Sequence, residues 1–466
     1  MEVVLSHVCS EWRDAVINLP TLWTAFKFDT RFYVSDPANK LEEYLSRSGE
    51  QSLELYFRFS GEDYQDEYRQ CTMNEYFPHH FALVETVIAH AYRWHRFTLF
   101  SDRFRAALKF IDLFEELYVP NLEYLAVCLG NPDSRPDADT EDRGNSNPTI
   151  LTGGAPRLYT VRIDTTSHFH SMPPLSNITT LAIQSTPKSD YLGFEFHHFH
   201  SILTIPTLTN LSIESFGCIE YHWREDPGNV PRFNMPSLKT LRIIQDGQIL
   251  GILSFMDAPL LETLVLRDVD LGTVIIHQDV QELNTFIRLD TIALLDCRYQ
   301  FSDLNQEDVD RVDMILNTFA YHATHVIISS HGDPPFIERG SSLMDFNRYG
   351  WPRLQLITLD LSATFGVMPY ITSFERSPHS ITVRVVQSLF RQWARQPGDL
   401  MTLEKVCRLE TMKVGDLMMD EPWPASGGLF QEDGNLPGGF IWEETLRAGA
   451  PRPWGPPYFF IENQIE

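Results

Sequence analysis

The side chains best suited to chemistry are few and poorly matched to one another. His197, His198 and His200 fall close together, with His168 and His170 upstream. Two imidazoles at i and i+2 on a strand share one side and could bind a metal. A stable metal site needs three or four ligands, and no Cys, Asp or Glu is fixed beside these histidines by spacing. They read as residues of an aromatic-rich loop. Asp268-Val269-Asp270 has the spacing with which a sugar transferase chelates a divalent ion, but it follows directly on Leu264 and Leu266 and fits a repeat turn. The chain contains no Gly-x-x-x-x-Gly-Lys-(Ser/Thr) phosphate loop, Gly-x-Gly-x-x-Gly turn, Gly-x-Ser-x-Gly elbow or His-Glu-x-x-His helix. Its six cysteines, Cys9, Cys71, Cys128, Cys218, Cys297 and Cys407, include no Cys-x-x-Cys pair and read as reduced core residues of a cytoplasmic or nuclear protein. The reading is therefore non-enzymatic: no catalytic, cofactor-binding or metal-binding residue is assigned, and no cofactor is expected.

The scaffold that carries these residues announces itself by recurrence. A Pro followed by Leu-x-x-Leu-x-(Ile/Leu/Val) appears at Pro120 with Leu122, Leu125 and Val127, and again behind Pro156, Pro206, Pro236, Pro259 and Pro352. Copies without that Pro occur at Ile178, Leu289, Ala323 and Leu409, and an earlier one at Trp94, Phe97 and Leu99. First positions at 94, 122, 158, 178, 208, 238, 261, 289, 323, 354 and 409 give a loose period of about 30 residues. The long last gap has room for one more unit, with Ile381 to Val385 as its strand. In each unit the final alternation puts two apolar side chains on one strand face, and the earlier Leu fills the turn beneath them. Pro cannot donate a ladder hydrogen bond, so it marks the turn leading into the strand. One such strand cannot bury its own apolar face; stacked neighbours can.

Helical spacing fills several gaps, clearest at Phe104, Leu108, Ile111, Phe114 and Leu117 and at Val309, Val312, Ile315, Leu316 and Phe319. From about Trp94 to Val414 the pattern resembles leucine-rich repeats, which implies an α/β solenoid of parallel strands with return helices. The family's fuller phrase, Leu-x-Leu-x-x-(Asn/Cys)-x-Leu, is kept in Ile292, Leu294, Cys297 and Tyr299; elsewhere its Asn/Cys position holds residues such as Thr166, Asp246 and Val269. The side-chain ladder between turns is thus mostly missing, and irregular curvature is expected.

Near the amino terminus, Val8, Cys9 and Trp12 precede Leu19, Pro20, Leu22 and Trp23. Val8, Cys9 and Trp12 have the spacing of one buried helical face, and Pro20 starts a turn that Trp23 can pin. The order Val-Cys-x-x-Trp-Arg, then Pro-x-Leu-Trp, resembles the second half of an F-box in the form found in fungal F-box-like proteins. The resemblance implies a Skp-type linker subunit as partner, a place in an SCF-type cullin-RING ubiquitin ligase, and a solenoid whose concave strand face receives a target protein. The family's opening Leu-Pro-x-Glu-Ile-Leu helix is not matched ahead of Val8, so the chain as written is expected to bind the linker weakly or not at all. The alternative is a free-standing scaffold without the ligase link.

The expected organisation is an F-box-like half-motif at 1–30, a connecting and solenoid-entry segment at 31–93, an irregular solenoid at 94–420 and a tail at 421–466. Residues 131–149, rich in Asp and Pro without large apolar side chains, read as a mobile acidic loop between solenoid turns. The tail combines Gly and Pro with Trp423, Phe440, Trp442, Trp454 and Tyr458, and is expected to cap the last open repeat. Over 466 residues, 43% hydrophobic and 12% aromatic content supports a packed core. With 63 Asp plus Glu against 37 Lys plus Arg, the net charge of −26 argues against nucleic acid as a partner. No stretch approaches the roughly 20 apolar residues of a membrane helix.

Overall fold

The computed structural model describes residues 9–30, 36–59, 80–101, 109–129, 148–164, 171–184, 196–214, 232–245, 253, 255–269, 286–297, 321–330, 351–361, 381–395 and 397–412. Within them lies one parallel sheet of fourteen strands whose spatial order is their order along the chain. The strands are β1 (Ala25–Asp29), β2 (Leu53–Phe59), β3 (Trp94–Ser101), β4 (Tyr124–Cys128), β5 (Thr160–Asp164), β6 (Thr180–Gln184) and β7 (Asn210–Glu214). They continue as β8 (Thr240–Ile244), β9 (Thr263–Arg267), β10 (Thr291–Leu295), β11 (His325–Ser330), β12 (Leu356–Leu361), β13 (Ile381–Val386) and β14 (Cys407–Met412). Parallel neighbours require a return segment between each pair, so this is a solenoid-like α/β fold.

The recurring Pro has a specific geometric job. Leu122 N–H donates to Val119 O at 3.3 Å, and the same closure joins Leu158 to Ala155, Leu208 to Ile205, Leu238 to Met235, Leu261 to Ala258 and Leu354 to Trp351. Each is a four-residue turn with Pro at its second position, where a fixed φ fits and a missing N–H costs nothing. Ile178 to Leu175 and Leu289 to Phe286 close alike at 3.2 and 3.1 Å without Pro. The turn therefore survives the loss of the residue that advertises it.

Two apolar rows run the length of the sheet. The first is Phe26, Leu55, Phe97, Leu125, Val161, Leu181, Leu211, Leu241, Leu264, Ile292, Val326, Ile357, Val383 and Leu409, each the register partner of the next. The second lies two residues further along each strand from β1 to β13, from Phe28 and Phe57 through Ile243 and Leu266 to Val385. With the turn residues beneath them they form one continuous buried cluster. The strands ending at Val127, Ile163, Ile183, Ile213, Ile243, Leu266, Leu294 and Leu359 thus lie side by side as their phrase requires.

Neighbouring turns are also tied by the main chain. Gln245, Asp268 and Asp296 close successive strands with φ of 62°, 48° and 52°. Their N–H groups donate to Arg267 O, Leu295 O and Ser329 O at 2.9, 2.7 and 2.7 Å. The left-handed conformation aims each amide at the next unit and, Gly aside, costs less for short polar side chains such as Asp. Cys297 supplies a side-chain rung, its thiol donating to Leu266 O at 3.3 Å.

The architecture departs from expectation in its extent and its returns. The sheet begins at Ala25, so the segments assigned to the F-box-like half-motif and the connection contribute β1 and β2. In these units Trp23 and Phe replace Leu, which hid the phrase. Helices among the described residues are α1 (Ser10–Ile17), α2 (Pro37–Arg47), α3 (80–88), α4 (Phe196–Leu203), α5 (Gln387–Trp393) and α6 (Pro397–Val406). The helix expected across 104–117 is seen only as a helical stretch at 109–112 followed by turns; Phe104 and Leu108, the 309–319 segment, residues 131–147 and the tail from 413 lie outside the described residues. The unit at Ile381 is present as β13. No helix among the described residues is long and apolar enough to cross a membrane.

Candidate functional site

Two surfaces answer to the sequence expectations: the amino-terminal turn and the sheet face turned away from the core. In α1 only Val16 is buried. Trp23 is buried as well, its Nε1–H donating to Val16 O at 2.8 Å. Tyr44 meets the Trp23 ring edge-on at 5.1 Å, and the Arg47 guanidinium sits over it at 4.2 Å. Leu22 N–H donates to Leu19 O at 3.1 Å around Pro20, so Leu19 to Leu22 forms the solenoid's own Pro turn. Trp94 repeats the arrangement two units later, its Nε1–H donating to Val87 O at 3.1 Å.

The structure brings Pro20, Leu22 and Trp23 inward and leaves the rest of the set outside. Trp12 is 51% exposed and Leu19 48%, and Cys9 is exposed; Val8 lies outside the described residues. The buried face expected from Val8, Cys9 and Trp12 is therefore corrected. Hydrogen bonding to the Trp23 indole anchors the last turn of α1, while no strand among the described residues precedes β1 to cover its first turn. Trp12 and Leu19 are each an exposed apolar side chain that a partner can cover.

Three outward positions per strand form the other surface. The row at strand starts includes Thr160, Thr180, Asn210, Thr240, Thr263 and Thr291 in consecutive register, all half-buried. β-branched side chains suit this pleated face, and Asn210 Nδ2 donates to Thr180 Oγ1 across it at 3.1 Å. The two rows beyond are largely buried. Arg242 is 1% exposed, and Arg162 donates through Nη2 to Gln184 Oε1 at 3.0 Å. Phe100, Tyr124, Ala126 and Cys128 form a second apolar cluster on this side. Only part of the strand face is thus open to a target.

On β1–β4 this face carries pairs that the sequence reading missed. Lys27 lies over the Tyr56 ring at 5.1 Å, Arg58 over Phe100 at 4.6 Å and Arg96 over Tyr124 at 4.2 Å. Each pair joins register neighbours on adjacent strands. Alternation within Leu53–Phe59 and Trp94–Ser101 held the signal, since basic and aromatic residues occupy the positions between the apolar ones.

His197, His198 and His200 lie on α4, a helix rather than the loop or strand expected, and the His200 ring packs 5.2 Å from Phe233. His168 and His170 lie outside the described residues. Among the described residues no three His, Cys, Asp or Glu are grouped to hold a metal. Asp268 ends β9 in its left-handed turn and Val269 is buried. Cys128, Cys297 and Cys407 are free and buried; Cys71 and Cys218 lie outside the described residues. Burial pushes the Cys297 thiol up to about 12 and the Cys407 thiol to about 11, which suppresses nucleophilic thiolate at both.

No family model matches the chain, and no curated protein matches it. Among solved structures, a protein of Bacteroides fragilis is similar at 13% identity, over 56% of this chain and 66% of its own length, with a TM-score of 0.29.

Proposed function

We propose that the chain is a non-enzymatic, leucine-rich-repeat-like interaction protein of the F-box-like kind. In this reading the solenoid holds a target protein in the cytoplasm or nucleus, and the surface around α1 docks a Skp-type linker subunit of a cullin-RING ubiquitin ligase. The observation that carries the reading is the division of the amino-terminal set: Val16 and Trp23 anchor the segment, while Trp12 and Leu19 stay exposed. Trp is among the residues most enriched at interface hot spots. The repeat-like character rests on the turn closures, the paired apolar rows and the Cys297 rung. A free-standing scaffold is the second reading, favoured by the likeness of Trp23 to Trp94, which accounts for the Pro-x-Leu-Trp turn as solenoid architecture.

A pull-down with a Skp-type linker separates the two. The chain is compared alone and joined to an intact first half of an F-box, each with and without Trp12→Ala and Leu19→Ala. Both side chains are exposed, so these changes leave the core intact. Binding gained on joining and lost with the substitutions supports the receptor. No binding by the joined chain leaves the scaffold.

A further inference from the structure

We infer that the strand-entry rim of β10–β12 is a docking surface for an acidic, proline-rich segment of a partner protein in the polyproline II conformation. The inference rests on the proposed target-holding role of the solenoid and names the class of target. Leu289 N–H closes the turn before β10 on Phe286 O at 3.1 Å, and Leu354 N–H closes the turn before β12 on Trp351 O at 3.4 Å. Ile287-Arg288 and Pro352-Arg353 are the central residues of these turns, and Tyr321-His322 takes the same place before β11. Strand register aligns Thr291, His325 and Leu356. Ile287, Tyr321 and Pro352, four residues earlier, therefore form one row, and Arg288, His322 and Arg353 form the next. Ile287 is 57% exposed and Tyr321 60%, and both Arg288 and Arg353 are exposed.

Among the described residues neither guanidinium makes a hydrogen bond or ion pair. Asp290 is the one acidic residue within 286–290, 321–325 and 351–355, and its carboxylate accepts from the Thr291 and Thr324 hydroxyls. These turns are thus locally cationic in a chain of net charge −26. Burial first, and Arg353 second, hold His322 below its ordinary range, so a neutral ring separates the two cations. Two strand spacings of about 4.8 Å put the Arg288 and Arg353 positions roughly 10 Å apart. A polyproline II segment rises about 3.1 Å per residue with three residues per turn, so side chains at i and i+3 share a side about 9.3 Å apart. Carboxylates at that spacing match the two guanidiniums, each able to form a forked pair. Pro rings between them then meet Tyr321 and Ile287, the contact by which aromatic-lined surfaces take such segments at low ordering cost. Nucleic acid is disfavoured because two separated cations face its dense charge and the rest of the molecule repels it.

The test is fluorescence anisotropy of a labelled Glu-Pro-Pro repeat peptide with the full chain at about 0.15 M salt, beside Gln-Pro-Pro and Glu-Gly-Ser repeats of equal length. Saturable binding of Glu-Pro-Pro is expected, weakened at least about tenfold in Arg288→Gln/Arg353→Gln and in Tyr321→Ser. Gln-Pro-Pro lacks the carboxylates and Glu-Gly-Ser lacks the polyproline II preference, so each should bind at least about tenfold more weakly. All three substituted side chains are exposed, and Tyr321→Ser alone serves if the double variant loses the wild-type circular dichroism spectrum. No saturable binding, equal affinity of a folded variant, or Glu-Gly-Ser bound as tightly would each overturn the inference. Linker binding is measured in parallel: its persistence when Glu-Pro-Pro fails leaves the proposed function standing, and its loss with Glu-Pro-Pro binding intact removes the ligase link alone.

Discussion

Leu241→Ala tests the stacking argument at its centre. Leu241 is fully buried on β8, with Leu211 and Leu264 as register neighbours on either side. Leu→Ala at such a site costs about 2–5 kcal/mol, depending on how far the surroundings collapse into the space. Here ladder hydrogen bonds hold both neighbours at a strand spacing of about 4.8 Å, so little collapse is available and the upper half of that range is expected. Leu409→Ala is the natural contrast. It lies on β14, is only half-buried and, among the described residues, has Val383 as its one register neighbour on that row, so a cost of about 1–2 kcal/mol is expected from the smaller area lost. Urea titration followed by circular dichroism measures the midpoint shifts. Hydrogen exchange locates them, because a solenoid of nearest-neighbour contacts loses protection around the damaged unit first. Reduced protection should centre on β7–β9 in Leu241→Ala and on β13–β14 in Leu409→Ala. Equal costs at the two sites, or an unchanged midpoint for Leu241→Ala, would refute one-dimensional stacking as the source of stability.

Trp23→Phe and Trp94→Phe each remove the indole donor to a main-chain carbonyl, Val16 O or Val87 O, and should cost about 1–3 kcal/mol in the same titration. A cost below measurement at both sites would mean the shared hydrogen bond does not hold the preceding helix. Burial first and Arg93 second hold His90 below its ordinary range, so the unfolded chain binds more protons than the folded one. Stability from this site is full above about pH 6.5 and is lost as pH falls through the folded value. A melting temperature in His90→Gln as sensitive to pH between about 5.5 and 7.5 as wild type would exclude that linkage. Residue-resolved thiol labelling should modify Cys9 in the native protein and reach Cys297 only after unfolding, given its depth and a thiol pushed up to about 12; rapid native labelling of Cys297 would contradict its rung role.

The parts of the fold legible in the sequence were those written in a short local code. Leu238, Leu241 and Ile243 announce a turn and a strand face because spacing alone fixes which side chains share a side. Phe26, Phe28, Leu55 and Phe57 obey the same geometry, but Trp23 and Phe in place of Leu concealed it. The left-handed ends at Asp268 and Asp296 were not readable, since an Asp after a strand fits several turns. Exposure of Trp12 was harder still. Helical spacing puts residues on a common face without saying whether anything stands opposite, and that is decided by the strand order of the assembled sheet.

The likeness between Trp23 and Trp94 bears on how an interaction module can grow out of a repeat. In both units a 3-10 bend follows the helix, and an indole at or just before the start of the strand reaches back to a Val carbonyl in the helix's last turn. The second unit is flanked by strands, and its helix α3 buries Leu83, Val84 and Val87. The first has β1 at the edge of the sheet, and its helix α1 buries Val16 alone. The same local device thus yields a packed helix in one place and a helix that buries only its last turn in the other. Among the described residues no strand precedes β1, and Trp12 is left exposed. Replacing the exposed side of α1 with polar residues should then leave the stability of β1–β3 unchanged while abolishing any contact made through it.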